Sequence, residues 1–262
     1  MVERLVANEK VEGSSPFARS ILACFHKMIS KLIFLIKCKS PIKVILIFLY
    51  QKIRNILDKK NILIEKRKNQ NFIKNYKITH DWFSPNCYYF NKYLKNLSTE
   101  FYYLEIGSYE GNSAIFIATN YPNSSITCVD PWEPYEEKEK ENFSSIESRF
   151  DFNTKEFKII KKYKKTSDSF FLSNKKLFDF IYIDGFHKYD YVLRDCLNAW
   201  NSLKIGGILA CDDYIGQAWN DIKLNPCYAI NKFIKDKKNE INILTVTKSQ
   251  IFFKKLGHDK IV

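Results

Sequence analysis

The sequence predicts an α/β protein in which a basic helical extension precedes a doubly wound, mostly parallel sheet of seven strands. Short apolar runs of strand type alternate with helix-compatible segments from His80 onwards. A turn bounded by Gly107 and Gly111 joins the first of these runs to a helix start. Carboxylates end four of the runs, as expected of parallel strands whose carboxyl ends meet at one edge of a sheet.

The first predicted strand and its turn are the most informative stretch. Tyr102–Ile106 is a short apolar run, and Ala114–Ala118 continues as a helix after the two glycines. Gly107 and Gly111 would let a ligand approach the backbone, and the helix N-terminus would offer N–H groups. Tyr109 stands where the dinucleotide pattern G-x-G-x-x-G has its middle glycine, so the turn suits a ligand without phosphates. An ordinary βα turn is the alternative interpretation.

The remaining elements follow in chain order. A helix over Asn86–Leu97 precedes the first strand. The later predicted strands are Ser125–Val129, Phe157–Ile160, Phe178–Ile183, Ile208–Cys211, Ile241–Val246 and Ile251–Lys255. The helices predicted between them are Ser167–Leu172, Tyr189–Leu203 and Pro226–Lys237. Because strands and helices alternate, the strands should lie parallel, except for the last two, which are close enough in sequence to form an antiparallel hairpin.

Composition divides the chain into four parts. Residues 1–20 contain fewer Lys, Asn, Ile and Phe residues than the rest of the chain. This difference in composition predicts a disordered tail or an extension of the gene model. Residues 21–79 are predicted to form a basic, apolar helical extension. Residues 80–256 are predicted to be the folded domain, and residues 257–262 a tail.

The net charge of +13 is concentrated near the N-terminus. Residues 1–80 hold 17 Lys and Arg against 5 Asp and Glu, whereas the rest of the chain holds 25 against 24. The domain itself is therefore close to neutral, which argues against a nucleic-acid partner.

Residues 21–57 are apolar and basic at the same time, with Pro41 separating two predicted helices. Their uncharged runs are shorter than the roughly 18–20 residues that a membrane-spanning helix needs. Two interpretations stay open: helices that pack on the domain or on a partner subunit of a homo-oligomer, or an amphipathic anchor on anionic lipid. The chain contains seven cysteines and no C-x-x-C pair, which favours reduced, buried thiols. Reduced thiols indicate a cytoplasmic protein, and this protein would be membrane-peripheral if the anchor exists.

Five acidic residues follow the predicted strands at the same edge of the sheet. They are Glu105, Asp130, Asp184, Asp212 and Asp213. Carboxylates gathered at one edge repel one another unless a positive or hydrogen-bonding partner joins them. A cationic ligand, ribose hydroxyls or a divalent metal would each serve.

The motifs around these acids resemble those of a known enzyme family. The stretch Leu-Glu-Ile-Gly-Ser-Tyr-Glu-Gly-Asn-Ser-Ala is similar to the first motif of the catechol O-methyltransferase-like branch of class I S-adenosylmethionine-dependent methyltransferases. Phe-Ile-Tyr-Ile-Asp-Gly-Phe-His-Lys-Tyr, followed by Leu-Lys-Ile-Gly-Gly-Ile-Leu-Ala-Cys-Asp-Asp-Tyr, resembles the small bacterial methyltransferases of family 24. The resemblance covers residues 80–256.

The resemblance implies S-adenosylmethionine as the cofactor and a set of binding residues. Those expected near its methionine part are Glu105, Gly107, Ser108, Tyr109, Gly111 and Ser113. Ser113 would bind the cofactor carboxylate at the helix start. Asp130 would accept the ribose hydroxyls, Ser167 would lie near the adenine, and Asp184 would complete the cofactor site.

The resemblance also implies a metal site and a base. Asp184, Asp212 and Asp213 match the positions that hold Mg²⁺ in the catechol branch, where the third ligand is usually Asn, and Mn²⁺ would suit the same oxygen ligands. His187 stands where that branch places a catalytic lysine and would remove a substrate proton, with Lys188 as the weaker candidate. Alternatively, Asp184 serves only the cofactor, the aspartate pair caps a loop and His187 is an ordinary polar residue.

The implied reaction is methyl transfer to a hydroxyl of a small molecule or sugar, assisted by a divalent metal. Residues 133–149, acidic in character, would form a lid over the acceptor. Three alternatives remain: a metal-independent methyltransferase, a nucleic-acid methyltransferase that uses the basic N-terminus, and a non-catalytic S-adenosylmethionine-binding protein.

Overall fold

The sheet organises the fold, which we describe from a computed structural model covering residues 16–135, 141–216 and 218–257. Its strands are β1 Tyr102–Ile106, β2 Ser125–Asp130, β3 Ile160–Lys164, β4 Phe178–Ile183, β5 Leu203–Cys211, β6 Ile241–Val246 and β7 Ile251–Lys255. They lie in the order β3-β2-β1-β4-β5-β7-β6. The first five are parallel, and β7 runs antiparallel to both of its neighbours. The predicted doubly wound, mostly parallel seven-stranded sheet is confirmed.

Helices cover both faces of the sheet. The α-helices of the described residues are α1 Pro16–Lys37, α2 Ile42–Leu57, α3 Lys59–Phe72, α4 Cys87–Leu94, α5 Asn112–Asn120, α6 Phe143–Thr154, α7 Ser167–Ser173, α8 Tyr189–Asn201 and α9 Pro226–Asp236. Short 3₁₀ turns occur at Ile73–Asn75, Ser84–Asn86 and Ile222–Leu224. Because the strand order reverses between β1 and β4, the carboxyl ends of these two strands border the crevice in which ligands of such sheets bind.

Alternation along the buried strands divides the core into two layers. In β4, Ile181 packs with one hydrophobic cluster, whereas Phe180 and Tyr182 pack with the other. The first cluster contains Trp200 of α8, and the second contains Phe90 of α4. Strands that are apolar on both faces in this way are typical of a sheet covered by helices on both sides.

The predicted helical extension packs against the domain. The side chains of Leu35, Val44 and Phe48 are fully buried in the same cluster as the sheet core. The Thr245 hydroxyl of β6 donates a 2.7 Å hydrogen bond to Gln51 of α2. The predicted break at Pro41 is confirmed, and none of the described helices is both long and apolar enough to cross a membrane.

Several predicted boundaries differ from the structure; the fifth strand, for example, begins at Leu203 rather than at Ile208. The third strand occupies Ile160–Lys164 rather than Phe157–Ile160, because Phe157 closes a turn with Thr154 and the lysine-rich segment supplies the sheet edge. Charged side chains suit an edge strand, and Lys162 and Lys164 both pair with Glu147.

The segment predicted to be a disordered tail or a gene-model extension, residues 1–20, is described only from Pro16 onwards, where it is helical. The helix α1 begins at Pro16 and continues through the segment assigned to the tail. The predicted tail at 1–15 and the last five residues of the C-terminal tail lie outside the described residues.

Candidate functional site

A cavity of about 770 Å³ opens at the carboxyl ends of β1, β2, β4 and β5. The predicted site residues in its wall are Gly107, Tyr109, Asp130, Asp184, His187, Asp212 and Asp213. A second cavity of about 650 Å³ lies beside α3 and is lined by Arg67, Gln70 and Asn71, among others, and by none of the strand-end acids. The candidate site is therefore the cavity at the edge of the sheet.

The two glycines of the β1–α5 turn are needed for protein packing as well as for any ligand. A Cβ on Gly107 would lie 2.1 Å from the Asp184 carbonyl oxygen, and one on Gly111 would lie 3.0 Å from the Phe150 ring. Both residues have positive φ, 85° and 82°. The expectation that a ligand approaches bare backbone here thus needs a correction, because at Gly107 the close approach is made by the end of β4.

Gly107→Ala should destabilise the fold by at least about 3 kcal/mol, because backbone strain and the clash with Asp184 add together. Gly206→Ala is the matched control. Gly206 has a similar φ of 81° with nothing within 4 Å of its Cβ position, so we expect a loss of only about 1 kcal/mol. Urea unfolding of both variants measures the difference, and equal losses would contradict the packing argument.

Left-handed backbone at residues other than glycine is concentrated around the cavity. Tyr109, Trp132 and Asp213 have φ values of 46°, 47° and 49°. Such conformations are uncommon and persist where surrounding contacts hold them. One such contact is the 2.9 Å hydrogen bond from the Trp132 indole to the Tyr109 carbonyl.

Asp130 fixes this turn through three backbone groups. Its carboxylate accepts hydrogen bonds from the N–H groups of Ser108 at 2.9 Å, Tyr109 at 3.0 Å and Trp132 at 2.7 Å. Burial raises its pKa, while these donors act in the opposite direction. Asp130 lines the cavity, as a ribose-binding acid must, and it also determines the conformation of the turn beside it.

Glu105 lies fully buried behind the turn. Its Oε2 accepts hydrogen bonds from the Ser113 hydroxyl at 2.7 Å and the Tyr103 hydroxyl at 3.0 Å. Its Oε1 has no hydrogen-bond partner among the described residues, and the same holds for the buried Ser108 hydroxyl. Burial raises the pKa of Glu105 to about 7. The site thus contains a buried acceptor that a cationic group would satisfy.

The start of α5 offers backbone donors. Gly111 is its N-cap and provides no side-chain hydrogen bond, so the first N–H groups are available to an anion. The Ser113 hydroxyl donates its proton to Glu105. The Ser113 hydroxyl is therefore engaged within the protein, and its predicted contact with a cofactor carboxylate stays a prediction that the backbone N–H would have to meet.

Tyr182 joins two of the predicted metal ligands. Its hydroxyl lies 2.8 Å from Asp184 Oδ2 and 2.5 Å from Asp212 Oδ2, and the Gln250 amide donates to the same Asp212 oxygen at 3.1 Å. Burial, together with the charges of Asp212 and Asp213, raises the pKa of Asp184 well above its ordinary value. These carboxylates repel one another, and a proton or a cation relieves that repulsion.

His187 and Asp213 face each other across the cavity wall. His187 Nε2 lies 3.3 Å from Asp213 Oδ2, and both side chains are partly exposed. The Trp219 indole donates to the His187 carbonyl at 2.5 Å. Lys188 does not line the cavity, and its ammonium lies over the Trp219 ring.

The metal site stays a prediction. Asp184, Asp212 and Asp213 supply only oxygen atoms, the donors that Mg²⁺ and Mn²⁺ prefer. In the part of the chain that the structure describes, no three His, Cys, Asp or Glu side chains converge on one point. The carboxylates are held instead by Tyr182 and His187.

Ser167 lies away from the cavity. It starts α7 and hydrogen-bonds to Asp195 of α8, a buried acid whose pKa burial raises to about 7. The structure therefore places this predicted adenine contact in the packing of two helices and not in the wall of the site.

Several residues that hold or surround the site were not predicted. Tyr182 resembles an ordinary strand residue, and Gln250 precedes the last strand. A tyrosine two positions before a strand-end acid nevertheless shares its side of the strand and could have signalled contact. Aromatic rings surround the opening: Trp82 lies 5.1 Å from Tyr109, and Tyr135 stacks on Phe186 at 4.9 Å between ring centroids. These residues come from separate segments, so the sequence offers no local signal for their convergence.

Comparisons with known proteins agree with this architecture. Residues 104–214 match the family model Methyltransf_24, described as Methyltransferase domain. No curated protein is similar enough in sequence to count as a relative.

Three solved structures share the fold at low sequence identity. The MycE methyltransferase of the mycinamycin biosynthetic pathway, in complex with Mg, SAH and mycinamycin VI, aligns with a TM-score of 0.51 and 16% identity over 76% of this chain and 56% of MycE. A Klebsiella pneumoniae protein assigned as an O-methyltransferase aligns at 0.51 and 14% over 79% and 97%. SAH-bound Podospora anserina methyltransferase PaMTH1 aligns at 0.50 and 13% over 80% and 96%.

This chain therefore spans little more than half the length of MycE, and nearly all of the other two proteins. Residues 104–214 therefore match a methyltransferase domain, and they lie within a fold that the chain shares with these three methyltransferases.

Proposed function

We propose that this chain is a class I S-adenosylmethionine-dependent methyltransferase that transfers the cofactor's methyl group to a hydroxyl of a small molecule or sugar. The observation that carries the proposal is the His187–Asp213 pair, 3.3 Å apart in the wall of the cavity and close in sequence to the strand-end acids. A hydroxyl must lose its proton when it accepts a methyl group, and a histidine held by a carboxylate is suited to take that proton.

The proton can be traced to a particular atom. When neutral His187 donates Nε2–H to Asp213, its Nδ1 is the proton acceptor. The Asp213 carboxylate then stabilises the imidazolium that forms, much as the acid of a catalytic triad does. Lys188, outside the cavity wall, is the weaker candidate for this role.

The cofactor would lie along the β1–α5 turn. Gly107 and Tyr109 border its methionine part, the buried Glu105 Oε1 receives its ammonium group, and the start of α5 receives its carboxylate. Asp130 would accept the ribose hydroxyls with the oxygen lone pairs that its backbone contacts leave available. Two ligand structures of the same fold, MycE and PaMTH1, contain SAH, which supports this assignment.

The cavity favours an uncharged or cationic acceptor over a polyanion. Its described lining contains no Lys or Arg, and the acids in it are Asp81, Asp130, Glu133, Glu141, Asp184, Asp212 and Asp213. Nucleic acid would be repelled by such a wall. The aromatic rings of Trp82, Tyr135 and Phe186 suit the flat apolar face of a sugar or an aromatic acceptor.

A divalent metal remains part of the proposal. Asp184, Asp212 and Asp213 would hold Mg²⁺ or Mn²⁺, and MycE, which shares the fold, was solved with Mg. Such an ion would lower the pKa of an acceptor hydroxyl and orient it. Asp184 and Asp212 would first have to leave the Tyr182 hydroxyl, whereas Asp213 would offer the ion Oδ1, because its contact with His187 uses Oδ2.

A methyl-transfer screen tests both parts of the proposal. Labelled S-adenosylmethionine is incubated with vicinal diols, sugars and nucleotide sugars, with EDTA or with Mg²⁺. We expect a labelled methyl ether, with turnover that EDTA depresses at least about tenfold and that Mg²⁺ restores. EDTA-resistant turnover would remove the metal role, and cofactor binding without transfer to any hydroxyl would favour a non-catalytic protein.

A further inference from the structure

The N-terminal helices carry an apolar face that the domain does not cover. We call this the N-terminal apolar face and define it by Ile29, Ile33, Ile36, Ile42, Leu46, Ile53, Ile56 and Leu57. Each of these side chains keeps 39–76% of its surface exposed, with Ile42 the most exposed. The residues recur at helical spacing along α1 and α2, so they form a stripe on each helix.

The same helices are already anchored through their opposite sides. Leu35, Val44 and Phe48 are fully buried against the domain, and Asn231 of α9 donates a 3.0 Å hydrogen bond to the Cys38 carbonyl. The exposed stripe is therefore not required for packing within the chain. A helix that is apolar on all sides normally has something covering each side.

Charge points to the class of partner. Residues 16–64 contain ten Lys and Arg and one acid, Asp58, which pairs with Arg54. Lys27, Lys37 and Lys43 are exposed on the two helices that carry the stripe. A second copy of the chain docked on this face would bring two strongly basic surfaces together, whereas an anionic lipid surface would attract both.

We propose that the N-terminal apolar face docks on an anionic lipid bilayer, with the isoleucine and leucine side chains at the acyl boundary and the lysines among the headgroups. The helices lie on the surface, since none of those described is fit to cross it. The surface is connected to the candidate site: the Lys31 ammonium of α1 donates to the Lys248 carbonyl, and the neighbouring Ser249 lines the cavity.

Vesicle co-sedimentation of the full chain tests the proposal. The probes are phosphatidylcholine vesicles with and without phosphatidylserine. We expect binding to the phosphatidylserine vesicles that weakens as salt is raised. The triple variant Ile42→Ser, Leu46→Ser, Ile53→Ser should lower the partition coefficient at least about tenfold, because the three exposed side chains lose apolar area to bury.

Matched control variants distinguish binding through the N-terminal apolar face from nonspecific hydrophobic binding to the vesicles. Leu172→Ser, Leu177→Ser, Ile205→Ser removes three exposed aliphatic side chains elsewhere and should leave partitioning unchanged. We expect the double variant Lys37→Gln, Lys43→Gln to lower the partition coefficient about fivefold for each lysine removed. The control double variant Lys175→Gln, Lys176→Gln, which removes two exposed lysines elsewhere, should leave the partition coefficient unchanged.

Three results would overturn the proposal. The first is failure of the unaltered chain to bind phosphatidylserine vesicles. The second is an equal loss of binding in the control variants. The third is a dimer in lipid-free sedimentation velocity that the Ile42, Leu46 and Ile53 triple variant dissociates, since a second copy would then cover the face. None of these readouts depends on methyl transfer, so the membrane proposal can fail while the proposed reaction stands.

Discussion

His187→Ala should lower the turnover of methyl transfer by about 10²- to 10⁴-fold, the range associated with loss of a positioned general base. The affinity for S-adenosylmethionine should change little, because the cofactor residues of the β1–α5 turn lie on other elements. Single-turnover kinetics with saturating cofactor measures the first quantity, and equilibrium dialysis measures the second. A loss confined to cofactor affinity would contradict the assignment of His187 as the base.

Two companion variants sharpen this prediction. Lys188→Ala should alter turnover by less than about threefold, because its side chain does not line the cavity. Asp213→Asn should lower turnover less than the loss of His187 does, since the base remains but its imidazolium is less stabilised. If Lys188→Ala matches His187→Ala, the two candidate bases must be exchanged.

Glu105→Gln should weaken S-adenosylmethionine binding and stabilise the fold at the same time. The charged Oε1 is the proposed partner of the cofactor ammonium, and loss of a charge-assisted hydrogen bond lowers affinity by about 10- to 100-fold. The stability change follows from the pKa, which burial raises from 4.5 to about 7. The ionised carboxylate therefore opposes folding, and removing it should help.

The size of this stability gain depends on pH. Below pH 4.5, Glu105 is protonated in both the folded and the unfolded chain, so its ionisation does not lower the free energy of unfolding. Between pH 4.5 and 7 the unfolded chain loses this proton first, so folding stability falls, and above pH 7 the full cost of about 3 kcal/mol is present. Urea unfolding at pH 5 and pH 8 should show a larger gain for Glu105→Gln at pH 8.

Glu110→Gln provides the matched contrast. Glu110 is also buried, but its carboxylate accepts hydrogen bonds from Arg149 at 2.5 Å and from the Thr79 hydroxyl at 2.7 Å. Replacing it should destabilise the fold, by about 1–3 kcal/mol, because charge-assisted contacts are lost. If Glu105→Gln also destabilises the fold at pH 8, the buried carboxylate is compensated by contacts that we have not identified.

The first and last residues of several strands can be predicted from local sequence, and so can the break between the first two helices. β1, β4, β6 and β7 have the predicted bounds. For β1 and β4, which lie inside the sheet, the reason is that a strand buried on both faces has to be largely apolar. Pro41 ends one helix because it cannot continue the hydrogen-bond ladder. The edge strand Ile160–Lys164 was misplaced, because an edge needs few apolar residues and its lysines resemble a loop.

The sequence by itself determined the order of elements, the resemblance to a methyltransferase family and the acids that follow the strands, because each depends on neighbouring residues or on a contiguous motif. The tertiary structure alone decided how these groups are used. It brought Tyr182 and Gln250 onto the aspartates, joined Ser113 to Glu105 and placed Ser167 in helix packing. Such contacts join side chains that are distant in sequence, and their geometry depends on strand order and burial rather than on any local pattern.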